Sequence, residues 1–121
     1  MDRLARMALL ADFYGPLLTD KQRAVWDLHY EQDLSLGEIA EAEGTSRQAV
    51  HDLLKRTEKI LTSYEEKLGL ISRFLTEHEG LVAALEVLQG FSPQDFRSGE
   101  GWERLQAARA KIESLLAATE T

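Results

Sequence analysis

The sequence predicts an all-α fold: a helix-turn-helix bundle with a long helix and a C-terminal helical extension. Three observations carry that expectation. Apolar residues recur at helical spacing through most of the 121 residues. Proline occurs only at Pro16 and Pro93, and no alternating β-branched segment stands out. The stretch from Leu34 to Leu53 has the apolar, alanine and glycine spacing of two short helices crossing at a tight turn.

The first helix is expected over Asp2 to about Tyr14, with Leu4, Met7, Ala8, Leu10 and Ala11 as its inward stripe and Gly15-Pro16 as its stop. Thr19, with Gln22 three residues on, reads as a capping box opening the second helix. Val25, Trp26, Leu28 and His29 share a face there, and Tyr30 closes the segment. Ser35 and Glu38 repeat the capping arrangement. Read from Leu36, Ile39, Val50 and Leu53 face a shared core, and Ala40 is small where the next helix crosses. Gly44 supplies the left-handed turn at no steric cost. Ser46 caps the recognition helix, and Arg47, Gln48, His51, Asp52 and Lys55 point away from the core.

Past Val50 the helical pattern continues. Leu54, Leu61, Leu68 and Leu75 recur every seven residues, and Thr57, Tyr64 and Ile71 fill the half-heptad positions. This predicts a long helix, or two nearly collinear ones with a kink at Gly69. Its seam packs either inside the fold or against a second copy, and for the second case Leu61, Tyr64, Leu68, Ile71 and Leu75 are the expected dimer interface. Thr76 and Glu79 suggest a further helix start, running through Leu81, Leu85 and Leu88 to Gly90. Ser92, Pro93 and Asp95 open a short turn. Ser98 to Gly101 reads as a loop, and a last helix carries Trp102, Leu105, Ile112, Leu115 and Leu116. Two regions are expected: 1–74, the helix-turn-helix bundle with its extended recognition helix, and 75–121, a helical region for dimerisation or partner binding.

Composition narrows the function classes. Cysteine is absent, so disulfide and thiolate chemistry are excluded. With neither a signal peptide nor a transmembrane run in the pattern, the expected location is cytoplasmic, away from membranes. His29, His51 and His78 are scattered, and Glu77-His78-Glu79 lacks the second histidine that would complete a metal site on one helix face. No nucleophile elbow or phosphate-cradling glycine loop occurs. The expectation is a binding protein, with no catalysis, metal or cofactor.

The formal net charge of −7 weighs against nucleic acid, since duplex binding draws on phosphate neutralisation. The charge is uneven, however. Met1 to Phe74 carries ten basic and thirteen acidic residues, a net of −3, and Leu75 to Thr121 four and eight, a net of −4. Between Arg47 and Lys59 the local balance reverses, with Arg47, Lys55, Arg56 and Lys59 against Asp52 and Glu58. The candidate nucleic-acid-binding residues are therefore Ser46, Arg47, Gln48, His51, Lys55, Arg56 and Lys59. Arg47 and Gln48 suit guanine and adenine edges. Lys55, Arg56 and Lys59 suit phosphates or an acidic partner, or else pair with neighbours such as Glu58 along the helix. His51 is the one histidine on this face.

The segments Leu18-Thr-Asp-Lys-Gln-Arg, Leu28-His-Tyr, Asp33-Leu-Ser-Leu-Gly-Glu-Ile-Ala-Glu and Ser46-Arg-Gln-Ala-Val resemble the promoter-reading region 4 of bacterial sigma factors. Together with Leu10-Ala-Asp-Phe-Tyr-Gly-Pro-Leu-Leu-Thr, Arg56-Thr-Glu and Tyr64-Glu-Glu-Lys-Leu, they look like the YlxM family, small bacterial helix-turn-helix proteins encoded beside the signal recognition particle. The resemblance covers roughly Met1 to Phe74. It implies a cytosolic, dimeric regulator assigned to the signal recognition particle pathway. Two positions depart from the sigma-like pattern: Glu43 stands where a leucine is usual, and Asp52 places an acid on the outward face. Two partner classes stay open: duplex DNA, or a protein or RNA component of the particle bound by a non-DNA-binding adaptor.

Overall fold

The computed structural model describes residues 1–119 and contains six α-helices. The expected C-terminal region ends in two residues that lie outside this range. The chain divides into two compact units, Met1–Ile71 and a second from Ser72 onward.

In the first unit, α1 spans Arg3–Tyr14, a 3-10 turn follows over Gly15–Leu17, α2 spans Asp20–Tyr30, α3 Leu36–Glu43 and α4 Arg47–Leu68. Short-range chemistry sets most of the ends. Asp2 caps α1, its carboxylate accepting from the Ala5 N–H at 2.7 Å. Thr19 with Gln22 and Ser35 with Glu38 form complete capping boxes, each satisfying two backbone donors. The bonds from Ser35 hold the Glu38 carboxyl below its ordinary range. Gly44 sits at φ 66°, ψ 38°, and its N–H and that of Thr45 return to carbonyls of the last turn of α3.

The core draws on every helix of this unit: Met7, Leu10, Ala11 and Tyr14 from α1, Val25 and Trp26 from α2, Ile39 and Ala40 from α3, and Val50, Leu54 and Leu61 from α4. Thr57 is also buried, its hydroxyl donating to the Leu53 carbonyl within the helix at 2.7 Å. The inward stripe of α1 is rotated from the expected one. Leu4 and Ala8 are exposed and Tyr14 is buried, its ring 5.9 Å from that of Tyr64 on α4.

Tyr14 also determines where α4 ends. Its hydroxyl donates to Glu65 Oε1 at 2.5 Å and accepts from the Leu70 N–H at 3.2 Å, and the same Glu65 oxygen accepts from the Ile71 N–H at 2.9 Å. These are the free donors at the head of α5, Leu70–Gln89. Gly69, at φ 62°, ends α4 in the left-handed conformation between the two helices. Thr76 therefore lies inside α5 instead of starting a helix. Burial, and then the bond to Glu65, raises the Tyr14 pKa above its ordinary 10.0.

From Ser72 onward the second unit holds the remainder of α5, a 3-10 turn at Pro93–Asp95 and α6 at Gly99–Thr119. The helix α6 begins at Gly99, so the expected loop at Ser98–Gly101 shortens to its first residue. Phe91, Phe96 and Trp102 form an aromatic chain with centroid separations of 5.9 and 6.1 Å. Among the described residues none of this unit is fully buried, and Leu75, Val87, Phe91 and Leu115 are exposed.

Two tests follow from this packing. Ala40→Leu overfills a buried site and should cost about 1 to 3 kcal/mol in urea unfolding, and Gly44→Val should destabilise more than Gly44→Asn, because a β-branched residue is strained at positive φ. Equal stability of all three with the parent contradicts the turn. For Tyr14, a folded-state pKa above the unfolded value means stability present below pH 10 and lost as pH rises through the folded value. Tyr14→Phe should remove that alkaline loss, seen as a flatter melting temperature above pH 10 than in the parent, while lowering stability at pH 7 by about 1 to 3 kcal/mol.

Candidate nucleic-acid interface

One side of α4 faces the core through Val50, Leu54, Thr57 and Leu61. At 3.6 residues per turn two adjacent rows run from the flank of that stripe, at Arg47 and His51, round to the opposite side: Arg47, His51, Lys55 and Lys59, spaced by four, and beside them Gln48, Asp52 and Arg56. All seven side chains are exposed. Successive members of a row rise by about 6 Å along the axis, so the first row runs for about 18 Å.

The N-terminal end of this face is free. Ser46 has extended backbone, and its hydroxyl accepts from the Ala49 N–H at 3.1 Å. Ser46, Arg47, Gln48 and Ala49 are exposed, so the positive end of a 22-residue helix dipole is open to an anion. The Arg47 side chain lies over Gly37 at the start of α3, in ordinary van der Waals range of where a β-carbon would stand.

The acidic residues of this face are engaged selectively. Glu58 pairs with Arg3 of α1 in a two-pronged contact at 2.9 Å for both bonds, which raises the Arg3 pKa. Pairing of Lys55, Arg56 or Lys59 with Glu58 does not form. Among the described residues none of Arg47, Lys55, Arg56 and Lys59 has an ion-pair partner. Asp52 instead accepts from Gln48 Nε2 at 3.0 Å and lies 3.3 Å from His51 Nδ1. Arg3 is a member of this site that no local signal reveals, since it reaches Glu58 from 55 positions away.

Packing within the chain takes up part of the expected dimer seam. Leu61 is fully buried and Ile71 is 7% exposed, both in the core of the first unit, and Tyr64 is half-buried with its ring 5.9 Å from that of Tyr14. Heptad spacing fixes only which side of the helix is apolar, and here α1 takes up that side. Leu68, at 56% exposure, and Leu75, at 37%, are the two that remain open.

His29 has a structural place, with Nδ1 3.0 Å from the Leu34 carbonyl oxygen, which accepts its proton. Among the described residues no group of three or more His, Cys, Asp or Glu side chains is arranged to hold a metal ion, and no helix is long and apolar enough to cross a membrane.

Comparison with known proteins gives a consistent picture. Residues 1–94 match the family model described as "Putative helix-turn-helix protein, YlxM / p13 like" (UPF0122). A UPF0122 protein from Desulforamulus reducens is 46% identical over 116 residues, covering 96% of this chain and 95% of its own. One from Symbiobacterium thermophilum is 48% identical over 89 residues, 74% of this chain and 79% of its own. Another, from Bacillus cereus, is 53% identical over 88 residues, 73% of this chain and 79% of its own.

Proposed function

The chain belongs to the YlxM / p13-like helix-turn-helix family, and on that premise we propose that α4 enters the major groove of duplex DNA as part of a regulatory protein. The observation that carries this reading is the pair of exposed rows on α4, with four cations that have no ion-pair partner among the described residues and that run from the open end of the helix to its middle. Arg47 and Gln48, in the first turn, are the base-reading candidates, with His51 beside them. Ser46, Lys55, Arg56 and Lys59 hold phosphates. Arg3 supports the arrangement by drawing the Glu58 carboxylate toward α1.

Further parts of the proposal are finer. The protein acts as a cytoplasmic binding module and not as an enzyme, and, following the resemblance of its motifs, in regulation tied to the signal recognition particle. It works as a homodimer, because two recognition helices double the phosphate contacts available to an acidic chain. Exposed Leu68 and Leu75 and the unburied apolar residues from Ser72 onward support that assembly. The net charge of −4 from Leu75 to Thr121 favours a second reading, in which the same scaffold is a non-DNA-binding adaptor of the particle whose acidic surface suits a basic protein there better than RNA.

Fluorescence anisotropy against duplex and single-stranded DNA at two salt concentrations separates these readings. Arg47→Ala should weaken binding and relax base preference, whereas Lys55→Ala should weaken all duplexes alike and lower the salt slope by about 1. Flat traces with every probe, alongside capture of particle protein or RNA by the full chain, favour the adaptor. Sedimentation equilibrium at micromolar concentration should return twice the chain mass, and a single-chain mass refutes the dimer.

A further inference from the structure

We propose that Asp52 is a base-reading residue, whose carboxylate accepts a hydrogen bond from the exocyclic amine of a cytosine in the major groove. The inference rests on the reading of α4 as a recognition helix.

An acid on a nucleic-acid face is ordinarily a liability, because it repels phosphate. It is tolerated at least cost when it pairs with a neighbouring cation. Asp52 has two such neighbours in reach along the helix, Lys55 three residues on and Arg56 four residues on, the latter in the favourable order with the acid N-terminal. It pairs with neither. The carboxylate leans toward the N-terminal end of α4, where Oδ1 meets Gln48 Nε2 at 3.0 Å and His51 Nδ1 at 3.3 Å. Its side chain is 55% exposed, and among the described residues Oδ2 has no hydrogen-bond partner. What this places in the second turn of the recognition helix is an open acceptor, held by an amide and an imidazole on its other oxygen. Base-contacting side chains come from those first turns.

The chemistry of the groove selects the ligand. A carboxylate there needs a donor and must avoid other acceptors. Guanine presents two acceptors, and thymine an acceptor and a methyl group. Adenine presents an N6 donor beside the N7 acceptor, which opposes the carboxylate. Cytosine presents the N4 donor alone. Cytosine is therefore the base that Asp52 fits. The same contact shapes Gln48, since one N–H of its amide is taken by Asp52 and its oxygen is left to accept.

Asp52→Asn exchanges the acceptor for a group with both donor and acceptor, the pattern that fits adenine N6 and N7. Asp52→Ala removes the reader and the repulsive charge together. The test is selection from a random duplex library with the full chain. It is followed by anisotropy on four duplexes that differ only at the selected cytosine position, for the parent, Asp52→Ala and Asp52→Asn, with circular dichroism on each protein to verify that it is folded. The parent should prefer cytosine by roughly tenfold. Asp52→Ala should bind all four duplexes with similar affinity, more tightly than the parent binds the three non-cognate ones, and Asp52→Asn should move the preference to adenine. If both variants change affinity for every duplex by the same factor and keep the parent's preferences, Asp52 acts only as a charge and the proposal is overturned. If none of the three proteins binds any duplex, the recognition-helix reading fails and the assignment of Asp52 falls with it.

Discussion

The interior requires one stripe of α4, and everything proposed for the molecule depends on that. Val50, Leu54, Thr57 and Leu61 stand on a single side of the helix and are sealed against α1, α2 and α3. This fixes the rotation of α4 about its own axis. Once that is fixed, the positions of Arg47, His51, Lys55 and Lys59 are no longer free, because helical geometry alone carries this row from the flank of the buried stripe at Arg47 round to its opposite side at Lys59. Gly44 and Ser46 set where α4 starts, and the Tyr14–Glu65 contact with Gly69 sets where it stops. Core and candidate interface are thus two faces of one helix, and a substitution that rotates α4 disturbs both.

Net charge is a poor guide to such a face. The chain carries seven more acidic than basic residues, yet two of the acids of α4 are drawn away from its cations by specific geometry. Glu58 lies against α1 through Arg3, and Glu65 is turned inward to cap α5. A field is felt over about 8 to 10 Å at physiological salt, so distant acidic residues act weakly on a ligand seated against Arg47. What the overall acidity does affect is binding without sequence preference, which rests on summed phosphate contacts.

Much of the first unit is legible in the sequence because its determinants are local. Capping boxes three residues apart, a glycine at a left-handed turn and apolar spacing of three and four all act within a turn or two of helix, and they give the ends of α2, α3 and the start of α4 directly. What escapes is non-local. The head of α5 is capped by Tyr14 and Glu65, so Thr76, which looks like an N-cap, lies mid-helix. Rotation of α1 is set by where it meets α4, so Leu4 is outside although its spacing is right. Heptad leucines describe an apolar side and say nothing of what covers it, which is why Leu61 and Ile71 turn out to be core. The face of α4 is legible as a set of residues, but its electrostatics are not, since Arg3 is visible only after folding.

The placement of Asp52 bears on how an acidic protein reaches specificity. Affinity built from phosphate contacts rises equally for every sequence, and in a genome the competing sites are in vast excess. Lowering that shared term costs affinity but leaves the ratio between cognate and other sites to be set by base contacts. An acid on the recognition face does both at once: it repels backbone everywhere and is compensated only where a donor waits in the groove. On this argument the acidity of the chain and the position of Asp52 act in the same direction. On the proposed reading the four cations on α4 set the strength of association, and the Asp52 carboxylate decides where that strength is realised.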